Sequence, residues 1–145
     1  MNNELMFSSK NSEWETPQDL FDELDREHNF TLDPCCTEKT AKCKKYYTPK
    51  ENELMQNWTG ERVFVNPPYG REIGKWVEKS YKEAKKGCVV VMLIPARTDT
   101  RWFHNWIYPY KAEIKFLKGR VKFLESGKQK DAAPFPSMIV TFKAY

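Results

Sequence analysis

Hydrophobic positions near the start of the chain follow a helical period and then give way to a short apolar run. Three apolar residues recur at helical spacing, namely Leu20, Phe21 and Leu24. Thr16 followed by Pro17 is typical of a helix start, with threonine as the cap and proline at the first helical position. We therefore expect a helix that ends near Asn29, followed by a short strand over residues 30–34.

Further along the chain, runs of apolar residues alternate with amphipathic segments. The pattern predicts strands over residues 62–66, 88–94, 112–117, 121–124 and 138–142, and helices over residues 72–86 and 101–107. Residues 88–94 are continuously apolar, as expected for a central strand that is buried on both faces. Residues 36–60 are rich in lysine and predict only short or irregular pieces.

The order of these elements indicates an α/β fold. Strands and helices alternate over the first two thirds of the chain, which predicts parallel strands at the centre of the sheet. No helix separates the closing strands, so we expect a mixed sheet with an antiparallel edge near the C-terminus. The chain has 145 residues, the size of one domain, and we expect a single domain over residues 1–145 with residues 1–12 as a flexible arm.

Composition excludes several classes of protein. The longest apolar run is far shorter than the roughly 20 residues that cross a bilayer, and no secretory signal is recognisable at the N-terminus. We therefore expect a cytoplasmic protein without membrane contact. Its four cysteines are expected to be reduced thiols, and no cysteine or histidine spacing fits a metal site.

Charge is unevenly divided along the chain. Residues 1–33 carry a net charge of −7 and residues 34–145 carry +11, within a total of +4. Residues 111–130 alone carry +5. A solvated strand face accounts for part of this concentration, but binding to a polyanion such as nucleic acid explains it better.

The most informative sequence is Asn66-Pro67-Pro68-Tyr69, which directly follows a predicted strand. Two prolines remove two backbone donors and stiffen the chain, while Asn66 adds a side-chain acceptor and Tyr69 a flat ring. Acceptors beside an aromatic face suit a planar substrate that bears an amino group. The alternative is an ordinary turn, but ligands of open α/β sheets bind beyond the carboxyl ends of strands, so we favour a functional role.

With this motif the chain resembles S-adenosylmethionine-dependent amino-methyltransferases, and in particular the small Dam-like DNA N6-adenine methyltransferases of phages and prophages. The resemblance extends over roughly residues 13–142. It rests on Trp14-Glu15-Thr16-Pro17, Leu20-Phe21-Asp22, Leu32-Asp33-Pro34-Cys35-Cys36, Trp58, Val65 to Tyr69, Pro95-Ala96-Arg97-Thr98-Asp99-Thr100, Trp102-Phe103-His104, Gly119-Arg120 and Pro134-Phe135-Pro136-Ser137. It implies a trimmed Rossmann-like fold.

The resemblance also implies which residues bind the cofactor S-adenosylmethionine. Two groups correspond to its binding segments: Trp14, Thr16 and Pro17 beside the methionine part, and Asp33, Pro34 and Cys35 in the turn after the first strand. Thr16 keeps its alternative role as a helix cap. Such methyltransferases usually have glycines in this turn, where this chain has Cys35-Cys36-Thr37. The acidic residue that would hold the ribose hydroxyls is not identified, with Glu51 and Glu53 as candidates.

The catalytic residues implied are Asn66, Pro67, Pro68 and Tyr69. Asn66 and the Pro67 carbonyl would accept hydrogen bonds from the adenine amino group and stabilise the charge that develops on its nitrogen. Tyr69 would stack on an adenine flipped out of double-stranded DNA. Nothing in this reaction requires a metal ion.

Six further residues are predicted to contact DNA, namely Arg97, Trp102, Phe103, Lys118, Arg120 and Lys122. The aromatic pair also fits a core position, and the lysines could simply protect a sheet edge. Asn-Pro-Pro-Tyr also occurs in methyltransferases that act on RNA bases or protein glutamine, so these substrates remain alternatives. A nucleic-acid-binding relative that has lost catalysis is a third alternative, suggested by the missing glycines.

Overall fold

The computed structural model describes residues 14–144, so the predicted flexible arm over residues 1–12 lies outside the described residues. The helices are α1 (Gln18–His28) and α2 (Ile73–Lys85). The strands are β1 (Leu32–Asp33), β2 (Lys45–Tyr46), β3 (Arg62–Val65), β4 (Val89–Pro95), β5 (Glu113–Phe116), β6 (Leu124–Glu125), β7 (Lys128–Gln129) and β8 (Ser137–Phe142). Two short 3₁₀ turns, Pro49–Glu51 and Glu53–Met55, and a π-helical turn, Phe103–Ile107, complete the fold.

Six strands form one mixed sheet in the order β2-β1-β3-β4-β8-β5. β2, β1, β3 and β4 are parallel, while β8 runs antiparallel to both β4 and β5. β3 and β4 are parallel because α2 returns the chain to the start of the sheet. The α/β class, the parallel centre and the antiparallel C-terminal edge are thus confirmed, and the sheet is that of a trimmed Rossmann-like fold.

The core lies around β4, which pairs on both sides and is buried over most of its length. This confirms that residues 88–94 form a central strand. The predicted helix over residues 72–86 is also confirmed, since α2 ends just before Gly87, whose φ of 114° favours glycine. Among residues 14–144, no helix has the length and apolar character that would cross a bilayer.

Two element predictions are wrong in detail. Residues 121–124 do not form a strand of the main sheet. Instead, β6 and β7 form a separate hairpin, whose turn residues Ser126 and Gly127 both have positive φ, as a tight hairpin turn requires. The Leu124 backbone pairs with that of Glu15, through N–O distances of 3.0 and 2.8 Å. The hairpin therefore binds the segment that precedes α1.

The helix predicted over residues 101–107 begins as an α-turn but continues as a π-turn. The Tyr108 N–H donates to the Phe103 carbonyl at 2.9 Å, five residues back. Such turns are rare and occur frequently at functional sites.

Candidate active site

The carboxyl ends of three neighbouring parallel strands bring the predicted chemistry together. β1 ends at Asp33, β3 is followed directly by Asn66, and β4 ends at Pro95. Because parallel strands end at the same edge of a sheet, these positions share one edge. This edge is where ligands of open α/β sheets bind, so it is the place to look for the site.

The Asn66 carboxamide is held in one orientation by the segment that precedes α1. Its Nδ2 donates to the Trp14 carbonyl at 2.6 Å and to the Thr16 hydroxyl at 3.0 Å. A backbone carbonyl can only accept, so the amide nitrogen must face Trp14 and the amide oxygen must face the other way. Asn66 Oδ1 is therefore presented as an acceptor.

Thr16 has a different structural role from the predicted cap. The residue before α1 is Pro17, and the helix has no side-chain cap. The Thr16 side chain is buried and accepts a hydrogen bond from Asn66 instead. The cap prediction is wrong because a partner distant in sequence takes up the hydroxyl.

Tyr69 holds the other side of the Asn66 carboxamide. Its hydroxyl lies 2.6 Å from Asn66 Oδ1 and 3.0 Å from the Leu93 carbonyl, and it has one proton to donate to these two acceptors. Burial raises the pKa of Tyr69 well above its usual value, so this proton is retained. Tyr69 therefore orients the acceptor from which catalysis is expected.

The predicted stacking of Tyr69 on a base is not available in this structure. The side chain is fully buried beneath three aromatic residues, Trp14, Phe123 and Phe135, whose ring centroids lie 5.6–6.3 Å from that of Tyr69. The stacking prediction is therefore wrong for this conformation, because the ring face that a base would need is covered by the core.

Most of the predicted cofactor residues line one cleft together with Asn66. Trp14, Thr16, Asp33 and Cys35 face a space of about 330 Å³ at the ends of β1 and β3. The structure thus brings together residues from three separate parts of the sequence.

Two of the predicted cofactor residues do not line this cleft. Pro17 lies in a different groove, and Pro34 is buried without lining the cleft. The glycines missing from the turn after β1 are also explained. Residues 34–42, all of which the structure describes, have negative φ throughout, so the turn does not require glycine in this conformation.

Asp33 is a buried carboxylate with unusual electrostatics. It accepts hydrogen bonds from the backbone N–H groups of Cys35 at 3.2 Å and Lys42 at 3.0 Å. These bonds favour the charged form, but burial outweighs them and raises the pKa of the Asp33 carboxyl from 3.8 to about 6. Asp33 therefore carries a charge at neutral pH that a cationic ligand would stabilise further.

The two acidic candidates for ribose binding differ in their contacts. The Glu51 carboxylate accepts from the Thr48 N–H at 2.7 Å and from the Thr48 hydroxyl at 3.0 Å, so it closes a local capping box. Glu53 is partly buried, and this burial raises the pKa of its carboxyl to about 7, with smaller contributions from the charges of Glu51 and Asp33. Neither glutamate is among the residues that line the cleft, and Glu53 remains a candidate because its side chain is not used in a local cap.

A second pocket lies beside Tyr69. Its lining includes Tyr69, Pro95, Arg97 and Trp102. The structure therefore brings two predicted DNA-contacting residues to the catalytic turn. Phe103, also predicted to contact DNA, is only 6% exposed and packs into the core, so its alternative role as a core residue holds in this conformation.

The basic residues predicted to contact DNA form the wall of an open groove. Lys118, Arg120 and Lys122 are exposed and line a space of about 740 Å³ together with Pro17 and the start of α1. The Arg120 guanidinium also donates to the Ala133 carbonyl at 3.3 Å, which fixes the base of the hairpin segment. These residues lie apart from the cofactor cleft.

Sequence reasoning missed the aromatic cover of the site. Phe123 and Phe135 pack on Trp14 at centroid distances of 5.6 and 5.1 Å, and the Lys130 ammonium lies 4.2 Å from the centre of the Trp14 ring. Pro134-Phe135-Pro136-Ser137 was one of the motifs of the resemblance, but its spacing alone gave it no role. Among residues 14–144, no group of three or more histidine, cysteine, aspartate or glutamate residues could hold a metal ion.

A trimmed Rossmann-like sheet with an Asn-Pro-Pro-Tyr turn between a cleft and a second pocket defines an amino-methyltransferase. The chain belongs to the DNA N-6-adenine-methyltransferase (Dam) family, whose model matches residues 5–145. Its activity is therefore the methylation of N6 of adenine in DNA.

Two phage proteins illustrate this membership. The chain is 29% identical over 134 residues to the DNA N-6-adenine-methyltransferase of Haemophilus phage HP1 (strain HP1c1), a match that covers 90% of this chain and 78% of the phage protein. It is 32% identical over 92 residues to the DNA N-6-adenine-methyltransferase of Escherichia phage T1, covering 62% of this chain and 38% of the T1 protein.

Proposed function

We propose that this protein transfers a methyl group from S-adenosylmethionine to the exocyclic amine of an adenine flipped out of double-stranded DNA. The observation that carries this proposal is the fixed orientation of the Asn66 carboxamide. Its oxygen is presented as an acceptor at the turn that separates the cofactor cleft from the second pocket.

Asn66 would act as an electrostatic catalyst. Its Oδ1 has two lone pairs, of which Tyr69 occupies one, and the other can accept an N–H of the adenine amino group. The Pro67 carbonyl would accept the second N–H. Both interactions become stronger as positive charge develops on the nitrogen, which favours the transition state over the ground state.

The cleft suits a zwitterionic sulfonium cofactor. The buried Asp33 carboxylate matches its positive groups, and the buried Trp14 indole N–H, which has no hydrogen-bond partner within residues 14–144, is a donor for its carboxylate. Thr16 and Cys35 complete this wall, and Glu53 would accept from the ribose hydroxyls. The cofactor, when bound, supplies an electrophilic methyl group, and the protein supplies in-line positioning.

The second pocket is the proposed entrance for the flipped base. Trp102 offers a half-exposed aromatic face and Arg97 an exposed cation close to the catalytic turn. The Lys118, Arg120 and Lys122 groove would follow the phosphate backbone. We further propose that residues 1–145 act as a single methyltransferase domain in the cytoplasm of a bacterial host, without a metal ion or a membrane.

The product identifies the reaction. The purified protein is incubated with isotopically labelled S-adenosylmethionine and one of three substrates: duplex DNA, an RNA duplex of the same sequence or a glutamine-containing peptide. We expect label only in N6-methyladenine from DNA, measured by mass spectrometry of the digested nucleosides. Label in RNA or peptide would contradict the DNA assignment. Cofactor binding without transfer to any substrate would favour a relative that has lost catalysis.

A further inference from the structure

A groove beside the second pocket has no role in the reaction described above. It lies between the first turns of α2 and the segment 101–106, and we call it the π-turn groove. Its lining includes Arg71, Lys75, Glu78, Arg101, Asn105 and Trp106. Gly70, Ile73 and Trp102 also line the second pocket, so the groove continues from the proposed entrance for the flipped base.

The charge of the π-turn groove suits a polyanion. Three of its lining residues are cationic and one, Glu78, is acidic. Glu78 is paired with Lys82, outside the groove, while Lys75 is paired with Glu72 at 3.2 Å. Arg71 and Arg101 both line the groove and are exposed. The excess of positive charge next to a DNA-modifying site indicates that a phosphate backbone is the natural occupant.

Two indole rings give the groove apolar surfaces that are held in place. Trp106 packs on Tyr81 at a centroid distance of 5.4 Å, and Lys82 lies 5.7 Å from its ring centre. Trp102 lies over Gly74, where a Cβ atom would come within 3.7 Å of the Trp102 Cβ. Gly74 has an ordinary helical backbone, so the absent side chain mainly leaves the floor of the groove open.

Asn105 is the middle residue of the π-turn, and its exposed side chain lines the groove. A carboxamide can donate and accept at once, and it matches the N6 and N7 edge of adenine with two hydrogen bonds. π-Turns are rare in proteins and frequent at functional sites. This one follows β4, the neighbour in the sheet of β3, which leads into the Asn66–Tyr69 turn.

We propose that the π-turn groove binds the DNA next to the target adenine, with Arg101 on a phosphate and Asn105 on a base edge. Asn105 is thereby a specificity-determining residue. This inference rests on the proposed function and deepens it, because it identifies residues that would read the sequence around the methylated adenine.

The experiment compares the wild type with Asn105→Ala, Arg101→Gln and the control Lys44→Gln. Lys44 is exposed and immediately precedes β2, and it lines neither the π-turn groove nor the second pocket. Each protein methylates a duplex library with randomised bases around a central adenine, and sequencing that detects N6-methyladenine gives the preference at each position. Affinity for one short duplex is measured by fluorescence anisotropy over a range of salt concentrations, and thermal unfolding checks the fold.

We expect Asn105→Ala to reduce the base preference at one flanking position by about tenfold, since a bidentate base contact discriminates by this order. Arg101→Gln should weaken binding to all sequences and flatten the dependence of log affinity on log salt by about one. Lys44→Gln should change neither, and all variants should unfold like the wild type.

The role of Asn105 in base recognition is overturned if Asn105→Ala has the same base preferences as the wild type. It is also overturned if the wild type has no base preference at any position that flanks the adenine. An unchanged salt dependence in Arg101→Gln overturns the phosphate contact. These outcomes in active proteins leave the proposed function intact. A wild type that deposits no N6-methyladenine on DNA overturns the proposed function, and this inference with it.

Discussion

Asn66 and Trp14 are 52 positions apart in the sequence and are joined by a hydrogen bond of 2.6 Å from Asn66 Nδ2 to the Trp14 carbonyl. The backbone of the next residue, Glu15, pairs with Leu124 of the β6–β7 hairpin. One short segment thus connects the proposed catalytic amide to the hairpin that directly follows Lys118, Arg120 and Lys122 of the basic groove. Cofactor that binds against residues 14–16 would therefore help to fix the orientation of the Asn66 side chain.

Replacement of Asn66 by alanine tests the central acceptor. We expect Asn66→Ala to lower methyl transfer to DNA by on the order of a hundredfold or more, as for the loss of one preorganised electrostatic group. The variant should still bind S-adenosylmethionine, and its free energy of unfolding should fall by roughly 1–3 kcal/mol because Trp14, Thr16 and Tyr69 lose their partner. Incorporation of labelled methyl groups, cofactor titration and urea unfolding measure the three quantities.

Asn57→Ala is the matched control, since the exposed Asn57 side chain only accepts hydrogen bonds from Thr59. It should retain wild-type transfer. Near wild-type turnover in Asn66→Ala would show that the proposed mechanism is wrong.

Removal of the Tyr69 hydroxyl distinguishes orientation from stacking. Tyr69→Phe keeps the ring but loses the hydrogen bonds to Asn66 Oδ1 and the Leu93 carbonyl. We expect the free energy of unfolding to fall by about 1 kcal/mol and kcat to fall about tenfold, which corresponds to roughly 1.4 kcal/mol of lost orientation. The KM for S-adenosylmethionine should be unchanged. If kcat is the same as in the wild type, Tyr69 acts through its ring alone.

The raised pKa of Asp33 predicts how stability depends on pH. The pKa is about 6 in the folded protein and 3.8 in the unfolded chain, so the folded state holds the proton more tightly. The stabilisation is therefore fully present below pH 4 and is lost as the pH rises through about 6. We expect the contribution of Asp33 to the free energy of unfolding to fall by roughly 2 kcal/mol between pH 4 and pH 7.

The pKa of Glu53 is also raised, to about 7, so the effect of Asp33 on stability must be separated from that of Glu53 by comparing two proteins. Urea unfolding from pH 4 to pH 7 is compared between the wild type and Asp33→Asn, which keeps the shape of the side chain. The decrease with pH should be smaller in Asp33→Asn by the amount given above. Parallel pH profiles in the two proteins would show that the Asp33 pKa is not raised by burial.

Cofactor affinity should have the opposite dependence on pH. Only ionised Asp33 attracts the cationic groups of S-adenosylmethionine, so affinity should rise as the pH increases through about 6. We expect a several-fold lower Kd at pH 7 than at pH 5 in calorimetric titrations, consistent with a charge pair in a partly buried site. Asp33→Asn should bind more weakly at pH 7. Equal affinity of the two proteins at pH 7 would exclude Asp33 as a cofactor ligand.

The basic groove should contribute affinity for DNA without sequence preference. We expect the combined change of Lys118, Arg120 and Lys122 to glutamine to flatten the slope of log affinity against log salt by roughly one to three units, about 0.9 for each phosphate that the variant no longer neutralises. Affinity for S-adenosylmethionine should be unchanged, because these residues do not line the cofactor cleft. Fluorescence anisotropy on one short duplex measures the slope, and an unchanged slope would show that these residues only protect the sheet edge.

Local patterns were sufficient for most of the main elements. The apolar run over residues 88–94 predicts a buried central strand, and β4 occupies that place. The amphipathic spacing over residues 72–86 predicts α2 nearly to the residue. These predictions succeed because periodicity records which face of an element meets the core.

Contacts between segments that lie far apart in the sequence could not be predicted from local patterns. Thr16 fits the pattern of a helix cap, but its hydroxyl is taken by Asn66, 50 positions away. Residues 121–124 have the composition of a strand, but the backbone of Leu124 pairs with Glu15 and turns the segment into a separate hairpin. The π-turn also left no local signal, because its hydrogen bonds differ from those of an α-helix by one residue in register.

By itself, the sequence determined the α/β class and the order of the elements, and it singled out the turn that we propose to be catalytic, since Asn66-Pro67-Pro68-Tyr69 combines a rigid backbone with an acceptor and a ring. Only the tertiary structure decided how those groups are used. The hydrogen bond to the Trp14 carbonyl fixes the orientation of the Asn66 amide, and the Tyr69 ring is buried beneath Phe123 and Phe135. The physical reason is that hydrogen-bond orientation and burial depend on partners far apart in the chain, which local residue patterns do not specify.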